Sequence, residues 1–410
     1  MDLKLAWRNI WRNPRRSVLT MAAIAFATLL LVFMLSWQFG SYATMINASV
    51  KIHTGHLQVQ ADGYRDDRDI RKVVADPDAV GRILGGTPPV SAYTFRAEAF
   101  SLVSSKDRTY GVLVTGIDPE KEAVVSTLAD TVREGEYLSA ADTDRALIGT
   151  LLAENLQVAP GDELVLLGQG RDGSIAATVL VVKGVFSSGQ DEFDRSVVHM
   201  PLDFFQETYS MRGAVHAAVA VCKDLEAVPE AKREISRKLA EQGRGRPLAV
   251  LGWKELVPGL LQAIKMDLII GFIFYLILIV VVAFSILNTF LMAIFERKRE
   301  FGVMMALGTT PARLTRVLVY ESTAMTMLGC AAGILAGAIL TAYFQANGIV
   351  VPGAEEIARE FGLPERIYPR LSLLSVSIGA GIVLLITLVT AAYPALRVRR
   401  LKPLDALRAG

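Results

Sequence analysis

Cysteines and recognisable catalytic motifs are scarce in this 410-residue chain, and each shortage excludes a class of protein. The two cysteines, Cys222 and Cys330, fall in segments of different character, so the chain is not built on a disulfide framework. No G-x-x-x-x-G-K-[ST] sequence occurs, which excludes ATP binding in the P-loop manner. HExxH and CxxC motifs are also missing, and His53 and His56 are interpreted as surface polar residues. We therefore predict no catalytic site and no metal site.

Apolar residues are abundant instead. They make up 52% of the chain, and the mean hydropathy of +0.38 is too high for an ordinary soluble enzyme. Four segments approach or exceed the ~20 apolar residues that cross a bilayer, at 17–40, 267–295, 317–344 and 371–396. The first follows basic residues as a signal peptide would, but its apolar run exceeds the ~7–15 residues of a signal sequence, so we interpret it as an uncleaved anchor.

The net charge of +2 conceals an asymmetry along the chain. Basic residues cluster in residues 1–16, in the loop 296–316 and in the tail 397–410, whereas glutamates are frequent in the loop 345–370. The positive-inside rule then places both termini and the 296–316 loop in the cytoplasm, and residues 41–266 and 345–370 outside it. Membrane orientation explains all three basic clusters, so no nucleic-acid partner is expected.

The first 16 residues contain an amphipathic helix. In "LKLAWRNIWR" the apolar residues share one arc while Arg8 and Arg12 line up beside Trp7 and Trp11, a pattern typical of a helix in the membrane interface. A plain positive flank is the alternative interpretation. Pro14 is expected to end this helix before the first span.

The 41–266 insertion is predicted to be an α/β domain with more strand than helix, because several segments alternate apolar and polar residues. "ALIGTLLAENLQV" (146–158) is predicted as a short helix. The length allows two compact subdomains, with the strand-rich ends of the insertion meeting near the membrane. In the third span, Gly329, Gly333 and Gly337 form a small-xxx-small pattern that predicts close helix packing.

The loop "ERKREFGVMMALGTTPARLTR" (296–316) predicts one short apolar helix that ends at Gly308, followed by a helix capped by Thr310 with Pro311 in its first turn. Its apolar side chains cannot all face water, so either a partner protein or lipid headgroups must cover part of them. Glu321 lies near the same end of the third span. Two interpretations of this carboxylate stay open, pairing with a basic residue of the loop or a terminus, and a plain interfacial position.

The stretch "ILNTFLMAIFERKREFGVMMALGTTPARL" closely resembles the signature of the FtsX-like permeases of ABC transporters, a family that includes the LolC/LolE lipoprotein-releasing permeases and MacB. Nine residues carry the match: Asn288, Glu296, Arg297, Arg299, Glu300, Gly302, Ala306, Leu307 and Gly308. The external segment "ALIGTLLAENLQVAPGDELVLL" is similar to a MacB-type periplasmic domain, and "LAWRNIWRNPRRS" resembles the LolC/LolE branch.

This resemblance implies a coupling helix that docks in a groove of a separate ATPase subunit. The implied coupling residues are Glu296, Arg297, Arg299, Glu300, Phe301, Gly302, Met304, Met305, Ala306, Leu307 and Gly308. It implies no cofactor in this chain, since ATP and Mg would be bound by two copies of the partner ATPase. A second permease copy or paralogue, and a periplasmic lipoprotein carrier or adaptor, are the further partners implied.

The expected architecture is an α-helical membrane protein with four transmembrane helices and a large extracytoplasmic α/β domain inserted between helices 1 and 2. The resemblance implies the bacterial inner membrane and mechanical release of lipoproteins or lipid-like cargo. MacB-like efflux of drugs or peptides through an adaptor, and FtsX-like regulation of a periplasmic enzyme without transport, are the alternatives. It also implies an outward-facing apolar cargo cavity, or else a surface in bulk lipid, at six residues: Trp37, Phe39, Tyr42, Ile270, Phe272 and Phe274.

Overall fold

The structure, a computed structural model, describes residues 2–242, 247–350 and 366–398. Its contacts divide the chain into two units, one made of residues 2–42, 264–350 and 366–398, the other of residues 43–263. Residues 351–365 of the predicted 345–370 loop and residues 399–410 of the predicted cytoplasmic tail lie outside the described residues.

The elements are numbered in chain order. The α-helices of the described residues are α1 (Asp2–Arg12), α2 (Pro14–Ser49), α3 (Pro77–Gly85), α4 (Pro119–Val125), α5 (Thr150–Leu156), α6 (Asp191–Ser196), α7 (Leu202–Thr208), α8 (Val228–Gln242), α9 (Trp253–Leu256), α10 (Pro258–Glu296), α11 (Lys298–Ala306), α12 (Pro311–Asn347) and α13 (Leu373–Val398). The strands are β1 (Leu57–Ala61), β2 (Val90–Ser105), β3 (Arg108–Ile117), β4 (Val132–Gly135), β5 (Arg145–Gly149), β6 (Glu163–Gln169), β7 (Ile175–Phe186), β8 (Val197–Pro201), β9 (Ala217–Cys222), β10 (Leu248–Gly252), β11 (Ile349–Val350) and β12 (Arg366–Ile367).

The first unit is helical. Within the described residues, four helices are long and apolar enough to cross a membrane, namely α2, α10, α12 and α13. Helix α2 runs well past residue 40, the predicted end of the first span, and continues as a π-helical turn, Val50–Thr54. The helix continues because no proline follows and Gly40 is tolerated inside it. A Cβ on Gly40 would lie 2.2 Å from the Tyr368 carbonyl oxygen, so glycine permits a close approach of residues 368–370.

The predicted glycine pattern of the third span is the contact surface between α12 and α2. A Cβ added to Gly333 would lie 2.4 Å from the carbonyl oxygen of Ala25, and one added to Gly329 would lie 2.8 Å from a carbon of Ile24. Gly337 faces Leu29 at 3.3 Å. Backbone approaches this short leave little room for a larger residue at Gly329 and Gly333.

The second unit contains a sheet of ten strands among the described residues, in which six strands form a closed ring. Hydrogen bonds connect β2 to β3, β3 to β8, β8 to β5, β5 to β7, β7 to β6 and β6 back to β2. Buried side chains from all six strands join one core cluster. Closure removes the exposed strand edges that an open sheet would leave.

Two features of this unit differ from the sequence predictions. The segment 146–158 begins as strand β5 and becomes helix α5 only at Thr150, because its first residues pair with β7 and β8. The described strands of this unit also form one continuous sheet across the length that would allow two subdomains. The 16-residue strand β2 pairs with β9 along one half and with β6 along the other, which joins the ring to the remaining strands. The two ends of the insertion do meet, since β1 pairs with β10.

Candidate coupling site

Helix α11 is a separate nine-residue segment between the long helices α10 and α12. Arg297 has a non-helical backbone and interrupts the helical run, and Gly308 ends the short helix with a left-handed φ of 94°. The Thr310 hydroxyl then accepts a hydrogen bond from the Arg313 N–H, and Pro311 opens α12. These boundaries agree with the predicted short helix, because caps and breakers act locally.

The predicted coupling residues divide between two faces of α11. Phe301, Gly302 and Met305 are buried, and Phe301 packs with Leu314 of α12. Leu307, by contrast, is 81% exposed. The exposed face comprises Arg299, Glu300, Val303, Ala306, Leu307 and Gly308, with Met304 half-buried beside it. A partner can therefore reach only part of the predicted set directly.

Val303 is an exposed apolar residue of this face that the sequence prediction did not include. Helical spacing was the available signal, because residues 299, 303 and 306–307 recur at intervals of three and four and so share one face. The hydrophobicity of the segment alone does not distinguish Val303 from the buried Met305.

A buried ion pair joins this segment to the third span. The Arg297 guanidinium lies 3.2 Å from the Glu321 carboxylate, and the two residues are 5% and 4% exposed. Arg297 also lies 5.3 Å from the centre of the Phe301 ring and contacts Glu300 at 3.2 Å. Of the two interpretations of Glu321, the structure agrees with pairing to a basic residue of the loop. The adjoining cavity is about 30 Å³, room for about one water molecule.

Three ion pairs join the N-terminal residues to the same region, two from α1 and one from the first turn of α2. Arg12 pairs with Glu300, Arg16 of α2 with Glu296 at 3.1 Å, and Asp2 with Arg313 at 3.1 Å. The hydrogen bond from Arg12 is the main cause that lowers the pKa of Glu300. The loop is therefore held both by a buried pair and by the N-terminal helix.

Among the predicted membrane-interface residues, Arg12 has a different role from the one expected, since its guanidinium contacts Glu300 instead of pointing only to headgroups. Trp7, Arg8 and Trp11 remain exposed, and the two indole rings meet edge to face with centroids 6.2 Å apart. The side of α1 that packs into the protein is formed by Ala6 and Ile10.

A groove of about 530 Å³ lies between the C-terminal half of α2 and the N-terminal half of α10. Two of the six predicted cargo residues, Trp37 and Tyr42, line it. Phe39, Ile270, Phe272 and Phe274 are not among its lining residues, and the last three are exposed. The α10 side of the groove is instead provided by Asp267 and Tyr275. The prediction was based on bulky side chains of the second span, and the sequence does not show which face of α10 turns towards α2.

Polar side chains form a hydrogen-bonded chain along this groove that sequence reasoning missed. The Tyr275 hydroxyl donates to Gln38 at 2.9 Å, the Gln38 amide donates to the Tyr42 hydroxyl at 2.8 Å, and that hydroxyl donates to Asp267 at 2.6 Å. The chain cross-links the first and second spans. Gln38 and Tyr42 lie four residues apart in an apolar helix, which was the signal that they share a face.

His56 is buried and His53 is half-buried, which corrects their interpretation as surface residues. His56 is 1% exposed; its Nδ1 accepts from the Cys222 N–H at 2.9 Å, and its Nε2 lies 3.0 Å from the Asn47 amide oxygen. Burial lowers the pKa of His56 to about 4. Both nitrogens are used within the protein. In the part of the chain that the structure describes, no three potential ligands converge on a metal site.

His53 belongs to the π-helical turn that follows α2, and its backbone carbonyl accepts a hydrogen bond from Arg96. Arg96 in turn forms a buried bidentate pair with Glu122, at 3.0 and 2.6 Å. The π-helical turn is thus held by an arginine whose own charge is neutralised in a desolvated pair.

Two family models match the chain. One, described as the FtsX-like permease C-terminal, covers residues 272–403, and the other, the MacB-like periplasmic core domain, covers residues 17–238. The first includes the whole α11 region with Arg297 and Glu321, and the second covers more than half of the chain.

Individual relatives carry names from the same group. A lipoprotein-releasing system transmembrane protein LolC from Xylella fastidiosa is 23% identical over 86% of this chain and 84% of its own length. LolC from Neisseria meningitidis serogroup B is 23% identical over 97% of this chain and 95% of its own. The periplasmic region of MacB from Actinobacillus actinomycetemcomitans covers 52% of this chain and 94% of its own, with 12% identity and a TM-score of 0.39. From the two family matches, the chain belongs to the FtsX-like permeases of ABC transporters that carry a MacB-like periplasmic core domain.

Proposed function

We propose that this chain is the membrane subunit of an ABC transporter in which a separate ATPase moves the α/β unit mechanically and so releases lipoproteins or lipid-like cargo from the bacterial inner membrane. The observation that carries the proposal is the exposed face of α11. Val303 on α11 and Leu307 directly after it are large, exposed apolar side chains, whereas the opposite face of α11 packs against the rest of the permease.

A coupling element must transmit force without yielding, and the contacts of α11 suit that task. The Arg297–Glu321 pair and the packing of Phe301 on Leu314 connect α11 directly to α12. A push on Leu307 then moves the third span with it, since packed cores deform little. ATP and Mg would be bound by the partner ATPase, in two copies, facing two permease chains.

The proposed topology follows the distribution of basic residues. Both termini and α11 lie in the cytoplasm, and the α/β unit is an insertion between the first and second spans on the periplasmic side. The buried attachment of the turn Val50–Thr54 by Arg96 would carry movement of α2 into that unit.

The cargo assignment rests on two supports. The relatives named above are parts of lipoprotein-releasing systems. The groove at Trp37 and Tyr42 has apolar walls and one hydrogen-bonded carboxylate, Asp267, which suits an amphiphilic molecule with acyl chains. A carrier protein in the periplasm would then accept the released cargo.

Efflux through an adaptor is the second candidate, because the MacB-like model spans residues 17–238. Affinity purification of the chain from native membranes under ATP-trapping conditions, with mass spectrometry of everything retained, tests both. We expect an ATPase and acylated lipoproteins. Retention of the ATPase with an adaptor and without lipoproteins would replace release by efflux, and absence of any ATPase would overturn the coupling role itself.

A further inference from the structure

An apolar groove lies between α1 and α12, on the outside of the helical unit. Its volume is about 490 Å³, and α1 contributes Leu3, Ala6 and Trp7 to its walls, while α12 contributes Tyr320 and Ala324. The remaining lining residues are Lys4 and Arg8, whose side chains are exposed. The groove is thus apolar inside, with two cationic side chains on the α1 side.

The charges of α1 are divided between two roles. Asp2 forms an ion pair with Arg313, and Arg12 forms one with Glu300. Lys4 and Arg8 form no ion pair with any of the described residues. Arg12, on the same helix, does have an acidic partner, the carboxylate of Glu300. Two cations with no ion pair among the described residues, beside an apolar groove, are complementary to a molecule with one negative head and an apolar tail.

The position of the groove matches the level of lipid headgroups. Trp7 is exposed in the way expected of a side chain at a membrane interface, and α1 directly precedes the first span. Tyr320 of α12 also lines the groove and is 38% exposed, and a tyrosine hydroxyl can donate a hydrogen bond to an anionic oxygen. An acyl chain in the groove would pack against Leu3 and Ala324.

We infer that this groove binds one anionic phospholipid from the leaflet on which α1 lies, with an acyl chain between α1 and α12 and the phosphate at Lys4 and Arg8. Basic pockets between membrane helices recognise such headgroups. The bound lipid would fill the space beside Leu3 and Trp7 and so hold α1 in the place where Arg12 reaches Glu300. A zwitterionic lipid lacks the net charge that two unpaired cations attract.

Native mass spectrometry of the purified full-length chain, titrated with phosphatidylglycerol or with phosphatidylcholine of the same acyl chains, tests the inference. We expect saturable binding of one phosphatidylglycerol at much higher affinity than phosphatidylcholine. The Lys4→Gln/Arg8→Gln variant should bind phosphatidylglycerol about 30-fold more weakly, because each cation near an anionic headgroup contributes a factor of about five. Binding of phosphatidylcholine should not change.

Three further variants separate a built site from surface charge. Arg15→Gln/Arg299→Gln removes two exposed cations outside the groove and should lower phosphatidylglycerol affinity by less than about threefold. Ala324→Phe fills the groove without changing charge and should lose the site, and Tyr320→Ala, at a more exposed position, should weaken it. Equal affinity for the two lipids, equal losses in both charge variants, or unchanged binding in both groove variants would overturn the inference.

Discussion

The guanidinium of Arg297 and the carboxylate of Glu321 form an ion pair 3.2 Å long that is almost closed to solvent. The two residues lie 24 positions apart, so the pair links the residue directly before α11 to the helix that follows it, α12. Desolvating two charges is costly unless each finds the other in good geometry. The orientation of α11 is therefore set by a contact that tolerates little displacement.

Removal of one partner of this pair should be more damaging than removal of both. Glu321→Gln leaves Arg297 buried without its counter-ion, and we expect the free energy of unfolding to fall by about 3–5 kcal/mol. Glu300 cannot compensate fully, because its side chain is half exposed and screened. The Arg297→Met/Glu321→Leu double variant should be more stable than either single variant. A double-mutant cycle in mixed micelles measures this, and strictly additive losses would contradict it.

Leu307 and Met305 should respond oppositely to an introduced carboxylate. Leu307→Asp changes an 81% exposed side chain, so stability should stay within about 0.5 kcal/mol of the parent while ATPase association falls at least about tenfold. Met305→Asp places a charge at a 9% exposed position and should destabilise the chain itself. Leu307→Met is the control and should retain the ATPase. Full ATPase retention by Leu307→Asp in a pull-down would exclude docking at this face.

Gly333 should not accept even a methyl group. Alanine normally stabilises a helix relative to glycine by up to about 1 kcal/mol. A Cβ at Gly333 would stand 2.4 Å from the Ala25 carbonyl oxygen, so Gly333→Ala should instead cost about 1–3 kcal/mol. Gly337→Ala, at 3.3 Å, should cost less, and Ala336→Leu on the exposed face should be neutral. Thermal unfolding ranks the three, and a stabilised Gly333→Ala variant would contradict the tight α12–α2 contact.

The proposed cargo role of the groove lined by Trp37 and Tyr42 predicts different effects for two aromatic residues that the sequence analysis treated alike. Trp37 lines the groove, whereas Phe272 is 65% exposed outside it. Trp37→Ala should therefore reduce the amount of acylated lipoprotein that co-purifies with the transporter several-fold, because it removes one of the large apolar walls. Phe272→Ala should leave it unchanged. Equal losses in quantitative immunoblots would mean that cargo binds elsewhere on these spans.

Stability of the α/β unit should fall on acidification because of buried histidines. The pKa of His56 is about 4 in the folded protein and about 6.5 when unfolded, so below pH 6.5 the unfolded chain binds the extra proton first. The contribution of neutral, buried His56 to the free energy of unfolding is fully present above about pH 6.5 and is lost between about pH 6.5 and 4. The loss is on the order of 3 kcal/mol in total. Unfolding of the full chain followed from pH 7.5 to 4.5 measures the slope. His56→Gln should reduce the slope of the free energy of unfolding against pH by the amount that corresponds to about one bound proton. An unchanged slope would refute the lowered pKa of His56.

Local chemistry in the sequence predicted several elements correctly. The ends of α11 follow from Gly308, Thr310 and Pro311, which act on their own few residues of backbone. The four apolar helices follow from length and composition. Strands β1, β2 and β3 follow from alternation of apolar and polar residues. The resemblance of residues 288–308 to the FtsX-like signature agrees with the family match.

Other features depend on residues that are distant in the chain. The segment 146–158 begins as a strand because β7 and β8 pair with it, against its helical pattern. Whether Met305 or Leu307 faces outward depends on how Phe301 packs on Leu314, which fixes the rotation of α11 about its axis. The same holds for the groove, where the face of α10 that turns to Gln38 brings Asp267 and leaves Phe272 outside.

The sequence by itself therefore determined which helices are long and apolar enough to cross a membrane, where the short helix α11 begins and ends, and which family the chain resembles. Those properties come from backbone caps, glycine, and apolar runs, which act within one turn or one span. Only the tertiary structure decided that Glu321 neutralises Arg297, that Arg12 holds Glu300, and which half of α11 a partner can reach. The physical reason is that a helix can present any of its faces to its neighbours, and long-range packing and ion pairing select one.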